Sequence, residues 1–131
     1  VGTLVSLGSA LALAVAMDLT REQYVTLLPK SVTTAISMDV AAELGGIAAL
    51  TGAIVILTGI AGNLLAETVC KVFHITDPIA KGVGIGTSAH AVGTSKALQM
   101  GEVEGAMSGL SIAVAGVLTA VLCPVFVNFI G

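Results

Sequence analysis

Three long uncharged segments alternate with charged ones along this chain. They cover residues 1–17, 44–66 and 105–131, and combine aliphatic residues with many Gly, Ala, Ser and Thr. A helix needs about 20 residues to cross a hydrocarbon layer about 30 Å thick. The second and third segments reach that length, and the first is marginal. The pattern predicts an all-α membrane protein with about three transmembrane helices.

Two shorter segments break the apolar pattern. They are residues 29–43, "PKSVTTAISMDVAAE", and residues 84–99, "GIGTSAHAVGTSKALQ". Each is too short and too polar for a simple lipid-facing span, and each precedes a long apolar segment. Non-helical backbone at membrane depth is tolerated where protein or trapped water satisfies its hydrogen bonds. We therefore predict two broken or re-entrant helical segments.

A weak internal repeat relates these two segments. A shift of 56 residues places Ser31 on Thr87, Thr34 on His90 and Gly45 on Gly101. The order of parts also recurs: a hydroxyl-rich segment, a short charged turn and a long apolar helix. One full span between the two segments would invert the second unit, as in many transporters. We predict an inverted repeat of units 29–74 and 84–130 within one transmembrane domain covering residues 1–131.

The composition supports a membrane location. The chain is 56% hydrophobic and 10% charged, with a net charge of -3, whereas soluble domains carry about 25% charged residues. We expect an integral, multi-pass protein of the cell membrane whose partner is the lipid bilayer. Nothing in the charge pattern indicates nucleic acid binding. Because the chain begins inside an apolar segment, we also expect it to be the C-terminal portion of a longer protein.

Catalysis, metals and cofactors are not indicated. Cys70 and Cys123 form neither a disulfide framework nor a metal spacing, and are interpreted as small packing residues. No second metal ligand stands at a helical or hairpin spacing from His90, and no Ser/His/Asp set supports hydrolysis. The sequence therefore predicts a protein that is not an enzyme, with no metal and no cofactor.

Lys30 and His90 are the two candidate residues with ionisable side chains in the polar segments. Lys30 is interpreted either as the partner of a carboxylate near the membrane interior or as a side chain that reaches back to the interface. A lysine at the bilayer centre costs about 2.5–3.5 kcal/mol on insertion scales, which keeps both interpretations open. His90 could bind a carboxylate, carry a coupled proton, or be a satisfied buried histidine.

Hydroxyl side chains are the other candidates. They could hydrogen-bond a small polar solute, or bond back to helix carbonyls as membrane Ser and Thr often do. The candidates among the hydroxyls of the two segments are Ser31, Thr33, Thr34, Thr87, Ser88, Thr94 and Ser95.

Three stretches resemble the LrgB/CidB family. They are "LPKSVTTAISM" at residues 28–38, "DPIAKGVGIGTSAHAVGTSKA" at 77–97 and "EGAMSGL" at 104–110. That family includes bacterial antiholin-like membrane proteins and a plant plastid glycolate/glycerate transporter, and its members are longer than this chain. Its first motif matches Lys30, Ser31 and Thr33, and its second matches Thr87, His90, Gly93 and Thr94.

The resemblance implies two functions. One is transport of small carboxylates such as glycolate, glycerate or pyruvate, which the polar segments favour. The other is antiholin-type control of murein hydrolase activity and cell lysis by an oligomer. For both we expect a homo-oligomer, with a small holin-like membrane protein as a further candidate partner. The candidate solute-binding residues are Lys30, Ser31, Thr33, Thr34, Thr87, Ser88, His90, Gly93 and Thr94.

Overall fold

A computed structural model describes residues 1–130 of the chain. Within them the structure is all-α, without strands, as the sequence predicted. The six helices are α1 (Gly2–Ala16), α2 (Arg21–Leu27), α3 (Thr34–Glu43), α4 (Ala48–Val72), α5 (Pro78–Met100) and α6 (Glu102–Val127).

Two of the helices have the length and composition of membrane spans. These are α4, with 25 residues and mean hydropathy 1.9, and α6, with 26 residues and mean hydropathy 2.5. The apolar helix α1 has 15 residues, which corresponds to about 22 Å along its axis. Of the predicted three spans, helix length and composition therefore identify two, and α1 is shorter than the hydrocarbon thickness.

Glycines on α5 bring that helix against α6. A Cβ at Gly82 would clash 2.5 Å from the Glu104 carbonyl oxygen, and one at Gly86 would clash with the Ser108 carbonyl oxygen. The two glycines are four residues apart, so they lie on one helix face and allow the close backbone approach typical of membrane helices. Gly109, by contrast, has open space at its Cβ position. The close α5–α6 contact thus depends on Gly82 and Gly86.

Hydrogen bonds join α2 to the C-terminal end of α6 and to the N-terminal end of α4. The hydroxyl of the fully buried Tyr24 donates to the Phe126 carbonyl oxygen at the end of α6, 3.0 Å away. The Thr26 hydroxyl accepts from the Ile47 amide at the start of α4 at 2.9 Å, and Thr51 donates to the Thr26 carbonyl oxygen at 2.9 Å. These hydrogen bonds satisfy polar groups in apolar surroundings. Without partners, burying such groups would cost free energy.

The α5–α6 contact yields a stability prediction. Gly86→Ala is expected to destabilise the protein, because overpacking a close contact costs about 1–3 kcal/mol. Gly109→Ala makes the same chemical change in open space and is expected to leave stability unchanged or slightly higher. Thermal unfolding can be followed with a maleimide dye that reacts with the fully buried Cys123 as it becomes exposed. Equal melting temperatures for the two variants would contradict the proposed role of Gly86.

Candidate functional site

The first polar segment contains a buried non-helical turn. Residues 28–33 separate α2 from α3, and Leu28, Pro29, Ser31 and Val32 are buried there. The Ser37 hydroxyl donates to the Pro29 carbonyl oxygen at 2.6 Å and lies 3.3 Å from the Val32 carbonyl oxygen. A serine on α3 therefore supplies the hydrogen bonds that a continuous helix would have supplied.

The second polar segment is interrupted at a single residue. His90 has φ 44° and ψ -142° inside α5, and divides that helix into two halves. This backbone region is almost confined to glycine, and a side chain held there costs about 1–3 kcal/mol. The prediction of a helix interruption in each polar segment is thus met, although the two interruptions differ in length.

The His90 side chain forms a hydrogen bond that joins this interruption to α4. It is 2% exposed, and its Nε2 lies 2.8 Å from the Val55 carbonyl oxygen. Because a carbonyl only accepts, Nε2 carries the proton and donates it. The imidazole lies over Gly59, where a Cβ would be 2.6 Å from His90 Cε1. This glycine makes room on α4 for the histidine.

Further side chains satisfy the carbonyls beside the interruption. The Thr94 hydroxyl donates to the His90 carbonyl oxygen at 3.0 Å and lies 2.7 Å from Ser108 Oγ of α6. Asn63 of α4 donates to the Val92 carbonyl oxygen and to Ser95 Oγ, each at 2.9 Å. The interruption is therefore held from both α4 and α6.

A cleft of about 370 Å³ brings the two polar segments together. We call it the Lys30 cleft. Residues of α1, α4, α5 and the turn after α2 line it: Gly2, Val5, Ser6, Ser9, Lys30, Ser31, Thr58, Thr87 and Ser88. Residues from both sequence motifs thus share one cavity.

The cation in this cleft has only neutral oxygen neighbours. Lys30 Nζ lies 3.4 Å from both Ser6 Oγ and Ser9 Oγ, and 3.5 Å from the Ser6 carbonyl oxygen. These contacts are long for charge-assisted hydrogen bonds, which are about 2.7–2.9 Å. Within residues 1–130 the ion pairs involve Lys71 and Lys96 but not Lys30. The ammonium group is therefore positioned to receive an anion.

The hydroxyls in the cleft divide into donors and acceptors. Ser31 Oγ accepts from Ser6 Oγ at 2.6 Å, and its own proton has no acceptor within the described residues. The Thr87 and Ser88 hydroxyls donate to the carbonyl oxygens of Val83 and Gly84, at 2.8 and 2.6 Å. Such back-bonding uses their protons and leaves their oxygens as acceptors. The cleft thus has a donor side and an acceptor side.

Four of the predicted site residues line the cleft, and five lie elsewhere. Lys30, Ser31, Thr87 and Ser88 meet there. The others surround the interruptions: Thr33 precedes α3, Thr34 begins it, His90 is the break in α5, and Gly93 and Thr94 lie in the helical turn after it. Gly93 packs there against Ala89 and Ile85, with a Cβ position only 2.5 Å from Ala89 Cβ. Solute contact by these five residues stays a prediction.

Three polar side chains of the cleft were missed by sequence reasoning: Ser6, Ser9 and Thr58. A signal was present for two of them. Ser6 and Ser9 are three residues apart in an aliphatic run, so they share a helix face. Thr58 gave no signal in the sequence. Its hydroxyl bonds back to the Ile54 carbonyl oxygen, as threonine hydroxyls in membrane helices often do.

These features define an α-helical membrane protein with interrupted helices around a polar cleft. The chain belongs to the LrgB-like family, whose family model matches residues 1–129. It is 37% identical over 131 residues to proteins named antiholin-like protein LrgB from Bacillus mycoides and strains of Bacillus cereus and Bacillus anthracis. The match covers all of this chain and 57% of each relative. No solved structure matches the chain. The family resemblance inferred from the sequence motifs is thus confirmed.

The strained backbone at His90 predicts that replacing the histidine by glycine costs less stability than replacing it by alanine. His90→Ala loses the bond to Val55 and keeps the strained backbone, whereas His90→Gly loses the same bond and relieves the strain. We expect His90→Gly to be the more stable variant by about 1 kcal/mol. As a control, Ala91→Gly, at a helical position, should be less stable than wild type. Thermal unfolding of the four proteins measures the order, and His90→Ala above His90→Gly would contradict the assigned backbone.

Proposed function

We propose that this protein is a membrane transporter of small organic anions of the glycolate, glycerate or pyruvate class, and that the Lys30 cleft is its solute site. The observation that carries the proposal is the meeting of Lys30 and Ser31 from one polar segment with Thr87 and Ser88 from the other. A charge without a carboxylate partner is expensive in a membrane. An anionic solute that neutralises it offsets that cost during binding.

The donor and acceptor sides of the cleft favour a hydroxy acid. The solute carboxylate accepts from Lys30 Nζ and the Ser31 hydroxyl. Its hydroxyl group then donates to Thr87 or Ser88, whose oxygens remain free to accept. Pyruvate has a keto oxygen in place of that hydroxyl and lacks the proton. On this basis glycolate and glycerate bind better than pyruvate.

The architecture we propose is an inverted repeat in a multi-pass protein of the cell membrane. A shift of 56 residues carries α3 onto residues 90–99 and α4 onto residues 104–128, close to the second half of α5 and to α6. This agreement supports repeat units 29–74 and 84–130. We assign α1 to a third membrane crossing and propose that the protein forms a homo-oligomer.

Uptake by the intact protein in proteoliposomes tests the solute site. We expect labelled glycolate to be taken up above the level of empty vesicles, and unlabelled glycerate to compete better than pyruvate. Lys30→Gln keeps a polar side chain and removes the charge. It should reduce uptake about tenfold or more, since hydrogen bonds between charged groups contribute about 1.5–3 kcal/mol.

The matched control is Arg21→Gln. It removes one positive charge from an exposed position in α2 that does not line the cleft, and it should transport like wild type. Wild-type uptake no faster than that of empty vesicles would refute the proposal. Equal uptake by Lys30→Gln and Arg21→Gln would show that Lys30 does not contribute to the solute site.

The relatives' names support a second candidate, an antiholin-like oligomeric regulator of murein hydrolase activity and cell lysis. Such a protein acts through assembly in the membrane rather than through a solute cleft. In this chain the surface available for assembly includes the exposed aliphatic side chains of α6, such as Leu110, Val117 and Val121. A partner on this surface is a second copy or a small holin-like protein.

Lysis assays in cells separate the two candidates. If assembly alone controls lysis, Lys30→Gln and His90→Gly should preserve lysis control, whereas Val117→Trp on the α6 surface should impair it. If transport underlies the phenotype, Lys30→Gln should impair lysis control in proportion to its loss of uptake. Membrane abundance of each variant, measured by immunoblot, is the control for expression.

A further inference from the structure

Two further cavities lie at the α4–α5 connection, and the inner one shares Ser88 with the Lys30 cleft. The outer cavity, about 430 Å³, surrounds the loop between the two helices. The inner cavity, about 250 Å³, runs between α4 and α5. Both are lined by Cys70, Ile75 and Lys81, so they form one continuous groove. We call it the α4–α5 groove.

The outer end of this groove is basic. Lys71 lies in the last turn of α4 and Lys81 in the first turn of α5, and both line the outer cavity together with His74. The acid that lines it, Glu67, is held by Lys96 at 2.7 Å and lies 3.8 Å from Lys71. Its charge is therefore largely neutralised by Lys96.

Three more carboxylates lie near this end of the groove. Glu102 and Glu104 begin α6 just after the lining residue Met100, and Glu104 is buried against Gly82 and Gly101. Asp77 accepts the Ala80 amide at 2.8 Å as the cap of α5, which directs its carboxylate to the helix end. Lys81 makes no ion pair within the described residues. The side chains that line the outer end thus include two lysines and one carboxylate, which is paired with Lys96, and they complement an anionic group.

The inner end is apolar and open along the side of the helices. Leu65, Val69 and Gly84 line it and are exposed, while Ala66 and Ile85 are buried beneath. A small soluble anion gains nothing from such a wall. A hydrocarbon chain gains dispersion contacts along its whole length. The groove therefore combines a cationic end with an apolar body.

We propose that the α4–α5 groove binds an anionic phospholipid. The headgroup phosphate lies between Lys71 and Lys81, and one acyl chain follows the inner cavity along Leu65, Val69 and Gly84. The geometry suits a bilayer, because the lysines stand at the end of a membrane-spanning helix, where lysine ammonium groups reach the headgroup level. The lipid proposal does not rest on the proposed transport, although the inner cavity borders the Lys30 cleft at Ser88.

Lipid retention by the intact protein tests this site. The protein is reconstituted in vesicles of equimolar phosphatidylglycerol and phosphatidylcholine, purified in detergent, and its retained lipids are quantified by mass spectrometry. We expect wild type to retain phosphatidylglycerol selectively. Lys71→Ala and Lys81→Ala should each reduce that selectivity roughly fivefold, whereas Arg21→Ala, outside the groove, should not.

The acyl chain is tested with a matched pair of glycine variants. Gly84 and Gly109 are matched in that a Cβ added at either meets no atom within 4 Å. Gly84→Leu fills the groove and should release phosphatidylglycerol, whereas Gly109→Leu, outside the groove, should retain it. Thermal unfolding controls for folding of both variants.

Four results would overturn the proposal. The first is equal retention of the two lipids by wild type, and the second is unchanged selectivity after removal of both lysines. The third is retention by Gly84→Leu equal to that by Gly109→Leu, which would exclude the acyl chain from the groove. Free glycerol 3-phosphate is added as a competitor. Its failure to displace the lipid supports a lipid site, and displacement at millimolar concentration would indicate a headgroup-only site and refute it.

Discussion

Backbone hydrogen bonding in an apolar environment is the constraint on which this structure depends. A helix that stops at membrane depth leaves amides and carbonyls that neither lipid nor a neighbouring turn can satisfy. Here the side chains of packed helices supply the missing partners. Ser37 donates to the Pro29 carbonyl oxygen, and Thr94 donates to that of His90. Asn63 reaches the Val92 carbonyl oxygen from α4. The polar residues that first suggest ligand binding therefore also make the helix interruptions possible.

The same constraint explains why small residues lie where they do. A side chain can satisfy a carbonyl on another helix only if the two backbones are close. Gly59 leaves room for the His90 imidazole against α4, and Gly86 brings α5 onto the α6 backbone at Ser108. Gly109 lies on the same helix as Ser108 but has nothing near its Cβ position. Glycine content alone therefore does not identify a packing face; its position relative to the interruptions does.

Sequence reasoning located the interruptions but not their geometry. The hydroxyl-rich composition of residues 29–43 and 84–99 indicated non-helical backbone, because apolar helices have no need of such residues. It also identified Lys30, Ser31, Thr87 and Ser88, which share a cleft. The pattern could not show that His90 points to α4 rather than to that cleft, because a side chain's direction at φ 44° does not follow helical periodicity. Ser6 and Ser9 were missed because their importance comes from a contact made 21 to 25 residues away in sequence.

The two lysines in the polar segments have different surroundings, and these surroundings give them different roles. Lys96 ends its segment in an ion pair with Glu67, 2.7 Å away, and that pair joins α5 to α4. Lys30 contacts only neutral oxygens, at 3.4–3.5 Å. A fixed carboxylate beside Lys30 would satisfy the charge and also compete with any anionic solute. Serine oxygens hold the ammonium group in place more weakly, so an arriving carboxylate can displace them and gain the full charge–charge interaction. In the transport we propose, the lack of an internal carboxylate partner is thus what suits Lys30 to reversible solute binding, whereas the ion pair with Glu67 occupies Lys96.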